Sequence, residues 1–276
     1  MKKILVPTDF SKAAENALKV AAQLAKKHNS EIHLLHMLEI PLQEVDAVIS
    51  RGQEPLPEAM FFMKLARKKF KEILESDYLE GLTVYEAVQT DSDFTTIIDK
   101  CHELSIDFIV MGSHGASGMK EMFIGSNAEK VVRSSDLPVL VIKNDHETFS
   151  ISDLVFASDF KNDNKDTYKQ ATKFAKAFNA KIHLLMVNTA NNFTTTRESK
   201  TRIHEFIKDS SFENYSINIY NDTSVENGIL NFSKEIDADL IGISTHGRQG
   251  IAHFFNGSIS EDIVNHANRP VITFKI

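Results

Sequence analysis

One cysteine, Cys101, stands in a chain of 276 residues. That excludes an intrachain disulfide and fits a reducing compartment. Set in a helical pattern with no partner thiol, Cys101 reads as a small apolar side chain. Long apolar runs are missing too, since no stretch approaches the roughly 18–20 residues needed to span a bilayer. After Lys2 and Lys3, the run Ile4-Leu5-Val6 is cut short by Pro7-Thr8-Asp9, too early for a signal-peptide core of about 7–15 apolar residues. A cytoplasmic protein with no membrane partner is expected. Basic charge is also short: 31 Lys and Arg face 38 Asp and Glu, for a net charge of −7. The clustered basic excess of a nucleic-acid-binding domain is therefore not expected. The run Lys64, Arg67, Lys68, Lys69 and Lys71 falls in a helical pattern and reads as a solvated helix face.

Several ligand and catalytic motifs are absent. The nearest approach to a G-x-x-x-x-G-K-[ST] phosphate loop, Gly242 to Gln249, lacks both the lysine and the hydroxyl that would hold magnesium. Neither half of the chain opens with G-x-G-x-x-G after its first apolar run, which removes the dinucleotide fingerprint. The histidines at 33, 36, 114, 183 and 246 form no pair at metal-ligand helical spacing, so no metal site is assigned. No serine, histidine and aspartate are placed for nucleophilic catalysis, and no catalytic residue is assigned.

What the sequence does contain is itself, twice. The stretch ILVPTDFS at 4–11 matches LVFASDFK at 154–161, and EIHLLHML at 31–38 matches KIHLLMVN at 181–188, both at an offset of 150. Further on, IDFIVMGSHG at 106–115 matches ADLIGISTHG at 238–247, Gly125-Ser126 matches Gly257-Ser258, and PVLVIK at 138–143 matches PVITFK at 270–275, all at an offset of 132. The 18 residues of difference fall around IPLQEVDAVISRGQEPLPEAM in the first copy, where Pro41, Gly52, Pro55 and Pro57 suggest a loop. Each copy alternates short apolar runs with helical patterns. Ser11 is placed to cap a helix whose apolar positions Ala14, Ala17, Leu18, Ala21, Leu24 and Ala25 follow a 3.6-residue period. Apolar runs separated by helices imply parallel strands covered on both faces. The expectation is an α/β protein of two domains, 1–146 and 150–276, joined near Asp145–Ser150.

In such sheets a ligand lies outside the carboxyl ends of the strands, at the point where the winding reverses. Two features sit at such ends. Pro7-Thr8-Asp9 follows the first strand, and Asp9 can accept hydrogen bonds from a ribose hydroxyl or a base amine. Equally, Asp9 and Ser11 can simply start the helix; the recurrence of Asp9 as Asp159 weighs against that plainer role. The second feature follows the fourth strand, where Gly112, Gly115, Gly118 and Gly125 are gathered in a chain with only 11 glycines. They open the backbone to close approach, and a helix starting near Gly125-Ser126 would offer unpaired N–H groups to an anion. A flexible connector is the competing reading. His114 and His246 can hydrogen-bond a phosphate or merely order the loop, whereas His33 and His183, at equivalent strand positions, read as structural.

Over essentially its whole length the sequence resembles the universal stress protein family in its tandem form. The family's signature G-x2-G-x9-G-[ST] is met by Gly112, Gly115, Gly125 and Ser126. ILVPTDFS and LPVLVIK resemble the family's first and fifth strands. The resemblance implies two tandem open five-stranded parallel sheets with helices on both faces, of the Rossmann-like, adenine-nucleotide α-hydrolase-like kind. It also implies an internal pseudo-dimer paired through the last strands, Val139–Ile142 against Val271–Phe274. It further implies adenine nucleotide, ATP or AMP and with Mg²⁺ where phosphates need it. Pro7, Thr8 and Asp9 would border adenine and ribose, and Met37 would offer its backbone to the base. Gly112, Gly115, Gly125, Ser126 and Asn127 would hold ribose and phosphates.

The second copy departs from this pattern. Ser244 stands opposite Gly112, Ala157-Ser158-Asp159 replaces Pro7-Thr8-Asp9, and Val187 replaces Met37, while His246, Gly247, Gly257 and Ser258 remain. If the first signature glycine serves a positive φ or a close approach, Ser244 weakens the second site; if only its amide matters, serine suffices. Three functions stay open: a cytoplasmic stress-response protein regulated by adenine nucleotide and read by an unidentified protein partner, an interaction module binding no nucleotide, or a slow ATP hydrolase. A homodimer of the tandem chain is a further expectation.

Overall fold

The computed structural model describes residues 1–38, 57–89, 95–113, 126–161, 164–245 and 259–275. The first half runs β1 (Lys3–Pro7), α1 (Lys12–His28), β2 (Glu31–Met37), α2 (Pro57–Leu74), a 3-10 turn (Asp77–Leu79), β3 (Val84–Gln89), α3 (Thr95–Leu104), β4 (Phe108–Gly112), α4 (Ser126–Ser134) and β5 (Val139–Ile142). The second half runs β6 (Asp153–Ala157), α5 (Lys165–Phe178), β7 (Lys181–Asn188), α6 (Thr196–Ile207), β8 (Tyr215–Asn221), α7 (Val225–Glu235), β9 (Leu240–Thr245), α8 (Ile259–His266) and β10 (Val271–Lys275).

The ten strands form one sheet in the order β3-β2-β1-β4-β5-β10-β9-β6-β7-β8. Within each half every pairing is parallel. The halves meet where β5 and β10 run antiparallel, with Val271 opposite Val141, Ile272 opposite Leu140 and Thr273 opposite Val139. The last-strand pairing expected from the resemblance is thus present, and it fuses the two five-stranded sheets into a continuous one. An edge that would otherwise present unpaired backbone groups is removed from each half.

The ladders carry the repeat's register. Ile4 lies opposite Ile32 and Phe108, and Leu154 lies opposite Ile182 and Leu240, which reproduces both offsets. The described non-glycine residues with positive φ pair off in the same way: Phe10 with Phe160, Asn29 with Asn179, and Ser105 with Asp237. Local chemistry explains several of these points. Ser11 caps α1 by accepting from the Ala14 amide, and Asn29 ends that helix in the left-handed conformation, donating its N–H to the Ala25 carbonyl. The loop expected around 40–60 lies largely outside the described residues; its last positions already belong to α2.

Because the inner strands are buried on both faces, alternate residues feed two cores, each continuous across the seam. One face gathers Ile4, Val6, Leu34, Val110 and Leu140 with Phe156, Leu184 and Phe274. The other gathers Leu5, Leu35, Ile109, Val139 and Val141 with Val155, Leu185 and Ile241. Cys101 is buried in the second core, where burial and the nearby Asp136 charge push its thiol up to about 12, so it acts as an apolar filler. His33 stacks on Tyr85, and His183 hydrogen-bonds Asp153 and Ser216, in keeping with structural roles. Lys64, Arg67, Lys68, Lys69 and Lys71 all face solvent on α2.

Two lysines at equivalent positions cross the seam. Lys143, just past β5, donates to the Asn265 carbonyl in the last turn of α8, and Lys275 of β10 donates to the Ser134 carbonyl at the end of α4. Each places a positive charge at the negative end of a helix belonging to the other half. Burial lowers Lys143 from 10.5 to about 8. Between those values the unfolded chain holds a proton that the folded chain releases, so this residue makes stability rise with pH from about 8 to 10.5. Lys143→Met should lose that rise; urea unfolding of both proteins at pH 7.5 and pH 10 checks it, and an unchanged pH dependence would refute the assignment.

Candidate functional site at the strand ends

In the first half the winding reverses between β1 and β4, neighbours in the middle of the half-sheet. Their carboxyl ends carry Pro7-Thr8-Asp9 and Gly112-Ser113. The chain leaves β1 through a tight bend built by its own side chains. The Thr8 amide donates to the Leu35 carbonyl (2.8 Å), the Thr8 hydroxyl accepts from the Phe10 amide (3.0 Å), and the Asp9 carboxylate accepts from the Ser11 amide (3.0 Å). Phe10, at φ 64°, packs on His36 and Phe70, and His36 in turn bonds the Thr8 carbonyl (2.8 Å). Met37 ends β2 beside this bend, half-buried and opposite Gln89 of β3.

The sequence offered Asp9 two roles, ligand binding or a part with Ser11 in starting the helix. Thr8 is buried and its oxygen shapes the bend, while Ser11, not Asp9, caps the helix. Phe10 and His36 were missed as parts of the site. The signal was present in the repeat, because Phe160 follows Asp159 just as Phe10 follows Asp9, and both adopt a positive φ.

Gly112 gives a definite answer to one question. It is not among the residues of positive φ. A Cβ built on it would sit 2.6 Å from the Ala13 carbonyl carbon and 2.7 Å from its oxygen. The first turn of α1 therefore lies directly against the end of β4, and the missing side chain serves that helix-to-strand approach.

The second half builds the same bend and then diverges. The Ser158 hydroxyl accepts from the Phe160 amide (2.9 Å), as Thr8 does from Phe10. Asp159 Oδ1 accepts from the Lys161 amide (3.2 Å) and from the Asn164 side-chain amide (2.8 Å), and Oδ2 pairs with the Lys161 ammonium at 2.8 Å. Burial pushes the Asp159 carboxyl up, but Lys161 and Asn164 together outweigh it and hold the group below its ordinary value. Helix α5 starts at Lys165, equivalent to position 15 of the first copy, whereas α1 starts at Lys12. Ser244, in the place of Gly112, has its hydroxyl 2.8 Å from that of Thr167. Ala157 and Val187 are both buried, and Gly228 of α7 lets that helix settle onto Val187.

Asn127 is exposed on α4, and Ser126 begins that helix. His114, Gly115, Gly118, Gly125, His246, Gly247, Gly257 and Ser258 lie outside the described residues. Among the described residues no group of three or more His, Cys, Asp or Glu could hold a metal ion, and no helix is long and apolar enough to cross a membrane.

These features define an open, doubly wound α/β protein, duplicated in one chain, whose winding reverses at the central strands of each half. The sequence matches the universal stress protein family over residues 1–143 and 219–275, and the chain belongs to that family. It is 30% identical over 153 residues to universal stress protein MJ0577 of Methanocaldococcus jannaschii, covering 51% of this chain and 94% of that protein. Universal stress protein Slr1230 of Synechocystis is similar end to end, 23% identical with 100% of both chains covered. The crystal structure of a universal stress protein from Archaeoglobus fulgidus shares the fold across both halves, with a TM-score of 0.75, 21% identity, and coverage of 99% of this chain and 98% of that one.

The packing at the end of β4 predicts unequal responses at equivalent positions. Gly112→Ala drives a methyl into the backbone of α1 and should cost about 1–3 kcal/mol. Ser244→Ala loses one hydroxyl contact and should cost about 1 kcal/mol. Urea unfolding of the two variants tests the order; equal costs would overturn it.

Proposed function

We propose that the first half binds an adenine nucleotide, ATP or AMP, in the crevice between the ends of β1 and β4, and that occupancy regulates a stress response. The observation that carries this reading is the convergence, at the reversal point of the sheet, of the Thr8–Asp9 bend with the strand that opens the Gly112, Gly115, Gly125, Ser126 signature. Asp9 supplies a carboxylate suited to ribose hydroxyls, with Pro7 and Thr8 beside it. Met37, at the end of the adjacent strand, supplies backbone groups for the base. His114, Gly115, Gly125, Ser126 and Asn127 supply backbone amides and polar side chains for phosphates, and α4 begins on the carboxyl side of β4, where a helix N-terminus favours an anion. The bound nucleotide would act as a ligand whose presence a protein partner reads. The halves 1–146 and 150–276 are the two domains of this reading.

Denaturing the purified protein and identifying released nucleotide by chromatography and mass spectrometry is the direct test, with calorimetric titration of ATP and AMP, with and without Mg²⁺, as its complement. Asp9→Ala removes a charged acceptor, worth about 1.5–3 kcal/mol, and should weaken binding roughly 10- to 100-fold. Gly115→Val should abolish it with the fold intact. No released nucleotide and no titration signal would overturn the proposal.

A further inference from the structure

Helix α2 lies at the outer end of the sheet, since it joins β2 to β3 and β3 is the last of the ten strands on that side. One stripe of the helix is anchored: Ala66 and Phe70 are buried, and Phe70 packs edge-on against Phe10. Its other faces are bare. Met60, Phe61, Phe62 and Leu65 are 47%, 62%, 48% and 44% exposed. Four large apolar side chains within six residues are too close together to count as scattered exposure. Phe61, Lys64, Leu65 and Lys68 stand at i, i+3, i+4 and i+7, so apolar and cationic side chains share one solvent-facing stripe.

The repeat supplies the comparison. Helix α6 takes the equivalent place between β7 and β8. Its large apolar residues Ile203, Phe206 and Ile207 are all buried, while Arg197, Lys200, Arg202 and Glu205 face water. The same position in the fold is thus filled with no large apolar side chain exposed, and the bare face of α2 is not a demand of the architecture. Charge differs as well. In α6, Arg197, Lys200 and Arg202 are mixed with Glu198 and Glu205, whereas α2 sets Lys64, Arg67, Lys68, Lys69 and Lys71 against Glu58 and Glu72, in a chain of net charge −7. Among the described residues only Lys69 of these five forms an ion pair, with Glu72 at 3.6 Å.

Charge and composition select what covers this face. A second copy bringing the same helix would set five cations against five. A protein partner would bury four lysines and one arginine, and lysine is depleted from protein interfaces. An anionic lipid surface suits both sets of side chains. Phenylalanine and leucine enter the boundary between headgroups and acyl chains, lysine stems lie beside them, and the ammonium groups stay at the phosphates. The expectation of no membrane partner rested on the lack of long apolar runs, and a contact at the surface needs none. We propose that α2 docks the chain on an anionic membrane surface through Phe61 and Leu65 with Lys64 and Lys68, flanked by Met60 and Phe62. The acidic remainder of the chain is repelled from that surface, which turns this end of the sheet toward the lipid.

Flotation of the full chain with phosphatidylcholine vesicles, with and without phosphatidylglycerol, tests the proposal. Binding is expected only with phosphatidylglycerol and should be lost at high salt. Lys64→Gln combined with Lys68→Gln should weaken it roughly 30-fold, and Phe61→Ser combined with Leu65→Ser roughly 10-fold or more. Both double variants should keep the wild-type urea midpoint, because all four side chains are exposed. The chain has no tryptophan, so Phe61→Trp gives a single reporter whose emission should move to shorter wavelength on adding phosphatidylglycerol vesicles. No flotation with phosphatidylglycerol, equal flotation without it, or flotation unchanged in both double variants would overturn the proposal. The same emission shift on raising protein concentration without vesicles would assign the helix to a second copy instead, and on adding poly-glutamate to an acidic protein; either result would overturn it too.

Discussion

The antiparallel pairing of β5 with β10 is the constraint on which the rest of the molecule depends. A parallel half-sheet of order 3-2-1-4-5 ends on a strand whose outer edge is unpaired and whose two faces are apolar. Pairing two such edges antiparallel satisfies both sets of backbone groups and makes each face one continuous core. It has a geometric consequence as well. Since strands within each half are parallel and the seam is antiparallel, the carboxyl ends of β1 and β4 lie at one margin of the sheet and those of β6 and β9 at the opposite margin. The two sets of strand ends therefore never face one another, and the halves meet through the seam. Lys143 and Lys275 are polar ties across that seam, each joining the end of one half's last helix to the other half's last strand, and Asn144 adds a third by donating to the Asn268 carbonyl.

Much of this was legible in the residues. Strand and helix order, the Ser11 cap and the last-strand pairing followed from apolar periodicity, the repeat and the resemblance. The two offsets of the repeat reappear as ladder register, because strands buried on both faces cannot slip without exposing apolar side chains. The bend after β1 was only half legible. Its aspartate stood out by recurrence, yet the left-handed Phe10 did not, because a bulky residue is the wrong type to expect at positive φ. Packing on His36 and Phe70 holds it there, and such tertiary support leaves no local mark in a sequence. Gly112 was legible as important, with a close approach to its backbone among the reasons left open. A signature glycine invites the thought of a ligand, but its missing side chain faces the backbone of Ala13.

The Ser244 contact shows why the second copy could not be judged from one substitution. A serine set where Gly112 sits would collide with a helix that began as early as α1 does. In the second half α5 starts three residues later in the shared register. The later start makes Asn164 the residue that precedes the helix, and its side chain turns to Asp159. Thr167 then lies where it can bond both the Asn164 carbonyl and the new hydroxyl. The Thr167 hydroxyl keeps a partner in the Asn164 carbonyl whatever stands at 244, and Ser244 adds a second. Asp159, Asn164 and Thr167 lie close together in sequence, and only Ser244 reaches them from a distant strand, β9. None of the four lies in the seam, so the second half's strand ends can diverge from those of the first while β10 and Lys275 still complete the sheet for it.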